Sequence, residues 1–260
     1  MTASAQGFDN EKKEMDYFLD IYGRLPRAGP GSHECTRRAY KLMPDLPETP
    51  RILDLGCGPG VQAVDLLKIS GGQVLALDCL PLMIERTKAN AEIANVSNRL
   101  EVLKQDMRKM EFSQASFDVI WSEGALYNLG FKNGLRRIKP FVRPGGYVAI
   151  SEVVWLKPEP PAPLVEYWQQ YDEIDKVENK LAVIDSLGYQ QVGHFALPES
   201  AWTEGYYDPM EALLAQKTEE WTGIPEAQDV IREARHEIEI FRKYSNYFGY
   251  EFFVMRRPAI

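Results

Sequence analysis

At 260 residues, 45% of them hydrophobic and 26% charged, the chain suffices for one sizeable globular core with an appendage. Its net charge of −8 argues against a nucleic-acid or anionic-membrane surface, since both need a basic patch, and Arg136, Arg137, Lys139 and Arg143 read as a solvated helix face. Cys35, Cys57 and Cys79 form no Cys-x-x-Cys pair, so neither disulfides nor a metal site is expected and a reducing, cytoplasmic setting fits; Met1–Asn10 lacks a signal-peptide layout, and no apolar run reaches membrane-spanning length.

Met15, Phe18, Leu19 and Tyr22 share one face of a predicted helix over Asp9–Tyr22, with a cap at Asp9 or Asn10. Pro26–Gly31 is a turn-rich break, and Ser32 N-caps a second helix to Met43. From Arg51 onward, short apolar strands alternate with helices, the pattern of a doubly wound parallel sheet. Strands are expected at Arg51–Leu55, Gln73–Leu77, Leu100–Lys104, Phe117–Trp121 and Tyr147–Glu152. Helices are expected at Val61–Ser70, Pro81–Ala94 and Phe131–Phe141, with Arg143–Gly146 turning into the fifth strand. Pro158–Pro163 is an extended connection; Leu164–Tyr171 and Val177–Leu187 are helical, and Gly188 caps the latter. Tyr189–Ala196 and Gly249–Arg256 are the sixth and seventh strands. Between them, Asp208–Thr222 and Glu226–Tyr247 are helical, with Ile231, Ala234, Ile238, Phe241 and Tyr244 forming a stripe. That stripe reads first as packing against the sheet, and second as a lid or a homodimer surface. A single domain over residues 1–260 is expected: a helical cap (1–50), a Rossmann-like core (51–200), a helical excursion (201–248) and a last strand (249–260).

The most informative segment is Arg51–Gly60, in which an apolar strand runs into Gly56, Gly58 and Gly60 and then into a helix. Such a turn brings bare backbone and a helix N-terminus close to a nucleoside-type ligand. The spacing Asp-x-Gly-x-Gly-x-Gly is one residue shorter than the dinucleotide fingerprint. Asp54, at the strand end, suits an ammonium group better than a pyrophosphate. Here the chain resembles the class I S-adenosylmethionine-dependent methyltransferases, whose first motif has this form. The resemblance implies a Rossmann-like sheet of seven strands, mostly parallel with an antiparallel last strand. It also implies S-adenosylmethionine as cofactor, around Asp54, Gly56, Cys57, Gly58 and Gly60.

Further positions follow from the same resemblance. Asp78, at the second strand's end, takes the ribose hydroxyls, and Cys79 and Leu80 follow it, with Leu80, Leu82 and Met83 offering apolar groups to an adenine. Asp106 reaches the adenine amino group, with Met107 against the ring. The fourth strand ends Trp121-Ser-Glu-Gly-Ala-Leu-Tyr127, in place of the Asn-Pro-Pro-Tyr of nucleic-acid and glutamine methyltransferases. This departure disfavours a macromolecular amine or amide acceptor. Ser122 and Glu123 face the cofactor, and Glu123 either orients substrate, holds an ammonium or takes a proton, or else caps a helix and touches the methionine part. Tyr127 is close enough to assist, so Glu123 and Tyr127 are the catalytic candidates. Tyr22, His33, Trp202 and Tyr206 are the substrate candidates, from the N-terminal helices and from the segment after the sixth strand. His194, within that strand, reads as a satisfied core histidine. Trp121–Tyr127, Ala201–Glu204 and Tyr247–Tyr250 look like a bacterial and archaeal group (methyltransferase type 11) related to the ubiquinone- and menaquinone-biosynthesis enzymes. A small-molecule acceptor is expected, with a macromolecular acceptor or non-catalytic cofactor binding as the alternatives.

Overall fold

The computed structural model describes residues 3–171 and 173–259, with side chains from residue 13 onward. The strands are β1 (Arg51–Leu55), β2 (Gln73–Asp78), β3 (Leu100–Lys104), β4 (Phe117–Glu123), β5 (Val142–Trp155), β6 (Asp175–Lys176), β7 (Gln190–Ala196) and β8 (Phe248–Arg256). The helices are α1 (Ala3–Tyr22), α2 (His33–Lys41), α3 (Val61–Ser70), α4 (Pro81–Ile93), α5 (Phe131–Ile138), α6 (Ala162–Tyr167), α7 (Val177–Ser186), α8 (Ser200–Trp202), α9 (Asp208–Glu220) and α10 (Pro225–Tyr244). The strands join one sheet in the order β3-β2-β1-β4-β5-β8-β7. Pairing is parallel except where β8 runs antiparallel to both β5 and β7.

The sheet therefore has the expected Rossmann-like form, with one strand more than expected. The extra strand, β6, is two residues long and pairs in parallel with Val154 and Trp155. It exists because β5 runs to Trp155, three residues past the predicted end. Arg143–Gly146 is no separate turn: β5 already begins at Val142, and the register with β4 shifts between Phe117 and Val119. α1 begins at Ala3, so Asp9 and Asn10 lie inside the helix rather than at its start.

Strand alternation divides the core into two layers. Ile52, Val74, Ala76, Val119, Trp121 and Ala149 face α2 and α3. Leu53, Leu75, Ile120, Val148 and Ile150 face α5 and α7 on the other side. Trp121 is fully buried, with its ring 5.3 Å from that of Phe252. A third cluster holds the late helices: α9 and α10 pack with Ile21 and Leu25, and meet the sheet where β5 pairs with β8, at Val153, Trp155, Phe248 and Tyr250. The stripe on α10 thus builds a separate helical body standing over the C-terminal ends of the strands.

Candidate functional site

In an open parallel sheet, ligands bind beyond the C-terminal strand ends. Two adjoining cavities open there. The first, about 340 Å³, lies over β1, β2 and β4. Its floor is the glycine turn, whose Gly56 and Cys57 amides donate to the Leu77 carbonyl at 2.8 and 3.0 Å. Asp78 braces the turn: one carboxylate oxygen accepts from the Gly58 amide and the other from the Leu80 amide, both at 2.9 Å. Each oxygen keeps a free lone pair, so Asp78 can still accept from a ligand hydroxyl.

Gly56, Cys57, Gly58, Asp78, Cys79, Leu80, Asp106, Met107, Glu123 and Tyr127 all line this cavity. Gly60, Ser122 and Asp54 do not. Gly60 is glycine for another reason: its φ is +78°, and a Cβ there would lie 2.5 Å from the Thr87 side chain on α4. Ser122 is buried and donates to the Leu55 carbonyl at 2.9 Å. Asp106 lines the wall, yet its carboxylate already accepts from the Arg108 amide at 2.8 Å and pairs with the Arg108 guanidinium, which holds its pKa low. Met83 joins Leu80 in the wall, whereas Leu82 is 37% exposed.

Asp54 is fully buried, and neither of its oxygens has a hydrogen-bond partner among the described residues. The nearby Gln62 amide donates instead to the Cys57 carbonyl at 2.9 Å. Burial, reinforced by the Glu123 charge, pushes the Asp54 carboxyl well above the ordinary carboxylate range. Buried acids are normally paired, so an unmatched one behind a cavity wall fits a cationic ligand group.

Glu123 is held on every side. Oε1 accepts from the Thr36 hydroxyl at 2.7 Å and the Trp121 indole at 2.9 Å, and Oε2 accepts from Arg27 at 3.0 Å. Arg27 is itself buried and reaches Asp65 at 3.5 Å. The ion pair ties residues 27–31 across the cavity, and Gly31 is required there because a Cβ would lie 2.8 Å from the Arg27 guanidinium. Sequence reasoning missed Arg27: it lies in a proline-rich break with no periodicity to mark it.

The second cavity, about 490 Å³, stands beneath the helical body. It meets the first at a common rim of Ala28, Gly29, Pro30, Gly124 and Tyr127. Tyr127 is 47% exposed. The remaining wall is largely aromatic, including Tyr22, Trp202 and Tyr206 from the expected substrate set. His33 is in neither wall: its side chain is 70% exposed and pairs with Asp65 at 2.6 Å. His194 is likewise no core histidine, being 42% exposed and paired with Glu251 at 2.5 Å.

Two acids in the second cavity were missed as well. Glu152 lies at the sheet's C-terminal edge, like Asp78 and Glu123, so its place was a usable signal. Glu237 sits among Ala234, Ile238 and Phe241 on the apolar face of α10, where an acid is out of place unless it has partners.

The comparisons with known proteins agree with this geometry. A family described as "Methyltransferase domain" matches residues 52–146, from β1 into β5. The 27-O-demethylrifamycin SV methyltransferase of Amycolatopsis mediterranei is 28% identical over 231 residues, covering 86% of this chain and 82% of that one. A sterol 24-C-methyltransferase of Gibberella zeae is 27% identical over 181 residues, covering 63% of this chain; the match spans only 45% of that longer enzyme. A Geobacter sulfurreducens methyltransferase solved with S-adenosyl-L-homocysteine shares the fold at a TM-score of 0.79 and 20% identity, covering 92% and 96% of the two chains. Residues 52–146 thus carry a methyltransferase domain, and by its glycine turn and sheet order the chain is similar in fold to the class I S-adenosylmethionine-dependent methyltransferases.

Proposed function

We propose that the protein transfers a methyl group from S-adenosylmethionine to a small-molecule acceptor bound in the aromatic cavity. The observation that carries this reading is the common rim of Ala28–Pro30, Gly124 and Tyr127, which joins a cofactor-type cavity to a second one with a largely aromatic wall. The residues present fit the cofactor. Asp54 and the glycine turn suit its methionine end, and Asp78, Leu80 and Met107 suit its nucleoside end.

When bound, the cofactor supplies an electrophilic methyl group, so the protein's tasks are alignment and exclusion of water rather than strong base catalysis. Glu123 has all its nearest donors engaged, which suits it to fixing residues 27–31 rather than to taking a proton. Tyr127, half-exposed at the rim, is the side chain placed to orient the acceptor atom. The rifamycin and sterol relatives act on small molecules by their names, which supports the acceptor class. The net charge of −8 disfavours tRNA.

Calorimetry with S-adenosylhomocysteine tests the cofactor, and methyl-labelled S-adenosylmethionine incubated with fractionated cell extract tests the acceptor. Saturable binding and label in the low-molecular-mass fraction are expected. Absence of binding refutes the first claim, and label confined to tRNA or protein refutes the second.

A further inference from the structure

The two acids of the aromatic cavity are not equivalent. Glu152 is deeply buried; it accepts from the Tyr171 hydroxyl and faces the Lys180 ammonium at 3.6 Å. Its charge is matched from behind. Glu237 has only neutral donors. Its Oε2 accepts from the Tyr22 hydroxyl at 3.2 Å, and its Oε1 accepts from Tyr206 at 3.1 Å and Tyr207 at 3.2 Å. No lysine, arginine or histidine lines this cavity among the described residues. Three hydroxyls orient the carboxylate and occupy three of its roughly four lone-pair sites, which leaves room for one more donor and leaves the charge uncompensated.

Aromatic side chains line the same cavity. Trp202 and Tyr250 meet at 4.9 Å between ring centroids, and Tyr22 and Tyr206 at 6.5 Å; all four line the cavity. A carboxylate in a cavity with aromatic walls attracts a cation twice over, by charge and by the aromatic quadrupoles. An anion is repelled, and a neutral guest leaves the acid unmatched.

Position fixes the cation's part. Glu237 lines only the second cavity, whereas methyl transfer belongs at the rim with Gly124 and Tyr127. We propose that the acceptor carries a protonated amine that Glu237 and its tyrosines hold as a handle, while a different atom of the same molecule meets the methyl group at the rim. This rests on the methyltransferase reading for the second half of the statement only; the ammonium preference belongs to the cavity itself.

The test compares 2-phenylethylammonium with 2-phenylethanol, probes of similar size of which the first is cationic and the second neutral, by calorimetry on the full chain with and without S-adenosylhomocysteine. The ammonium should bind at least about tenfold more tightly. Glu237→Gln should bring the ratio close to one while the homocysteine product still binds. Tyr22→Phe, which keeps the carboxylate and the ring, should retain the preference. Equal affinities in the wild type, no ammonium binding, or a preference that survives Glu237→Gln would each overturn the proposal. If Glu237→Gln does not fold, the wild-type ratio and Tyr22→Phe decide; loss of preference in Tyr22→Phe would assign recognition to a hydroxyl and overturn it. Failure of the methyltransferase reading shows separately, as absent S-adenosylhomocysteine binding with the ammonium preference still measurable.

Discussion

The two cavities are built in different ways. The cofactor-side cavity rests on consecutive backbone: the turn after β1 and the residues after β2, β3 and β4 supply most of it, and Asp78 holds the turn through two amides. The aromatic cavity is assembled from side chains on α1, α6, α8, α10, β5, β8 and the segment between α8 and α9. The first depends on a fixed path of main chain, the second on where distant helices come to rest. The first should fail through single anchoring contacts, and the second should change its guest without losing its fold.

The one element that breaks this separation is Arg27, because the segment it anchors belongs to both cavities. Arg27→Ala leaves Asp65 and Glu123 without their buried guanidinium, and it should cost about 3–5 kcal/mol of stability. Thermal unfolding should show a clear drop in Tm, and both S-adenosylhomocysteine affinity and turnover should fall together. An intact Tm, or damage to one function alone, would mean that the ion pair does not join the two sites.

Next in size, Asp78→Ala removes the acceptor for two backbone amides and the one charged hydrogen bond it can offer a ligand hydroxyl; losing that last bond, at about 1.5–3 kcal/mol, should weaken S-adenosylhomocysteine up to about 100-fold. A loss under about threefold, read by calorimetry, would show that the turn holds its shape without the acid. On the acceptor side, Tyr127→Phe should lower kcat about tenfold and leave cofactor-product binding intact. An equal loss of both would make Tyr127 a contact of the cofactor instead of the acceptor.

The smallest effect concerns pH. Asp54 is more easily protonated in the folded protein than in the unfolded chain, so folding takes up a proton there. Its contribution to stability is full below the ordinary carboxylate range and is lost as pH rises through its elevated folded value. Asp54→Asn removes this loss. Without cofactor, the Tm of the variant relative to wild type should climb as pH rises above the ordinary carboxylate range and level off once the elevated folded value is passed. A constant difference would show that Asp54 titrates normally and has a partner.

The contrast also explains what was legible. β1–β4 and the acids at their ends could be read because strand, turn and helix signals are local, and because alternation along β1 separates Asp54 from Leu53 and Leu55. The extension of β5 and its partner β6 could not, since a two-residue strand exists only where a longer neighbour offers free backbone groups. Trp202 and Tyr206 were found by their place after β7. Glu237 was passed over because its partners lie as far as 215 residues away, on α1. His33 was misplaced because a position at the start of an N-terminal helix says nothing about which way that helix N-terminus turns.

The sheet order also dictates when the fold can be completed. β8 lies between β5 and β7, pairing from Tyr147 to Trp155 on one side and from Gln190 to Ala196 on the other. Until residues Phe248–Arg256 have left the ribosome, β7 has no strand to join and β5 presents an open edge opposite β4. A nascent chain halted before that point carries a paired half-sheet, β3 to β5, with its apolar margin exposed to any passing strand. Quality control of this protein during synthesis therefore hinges on its last strand.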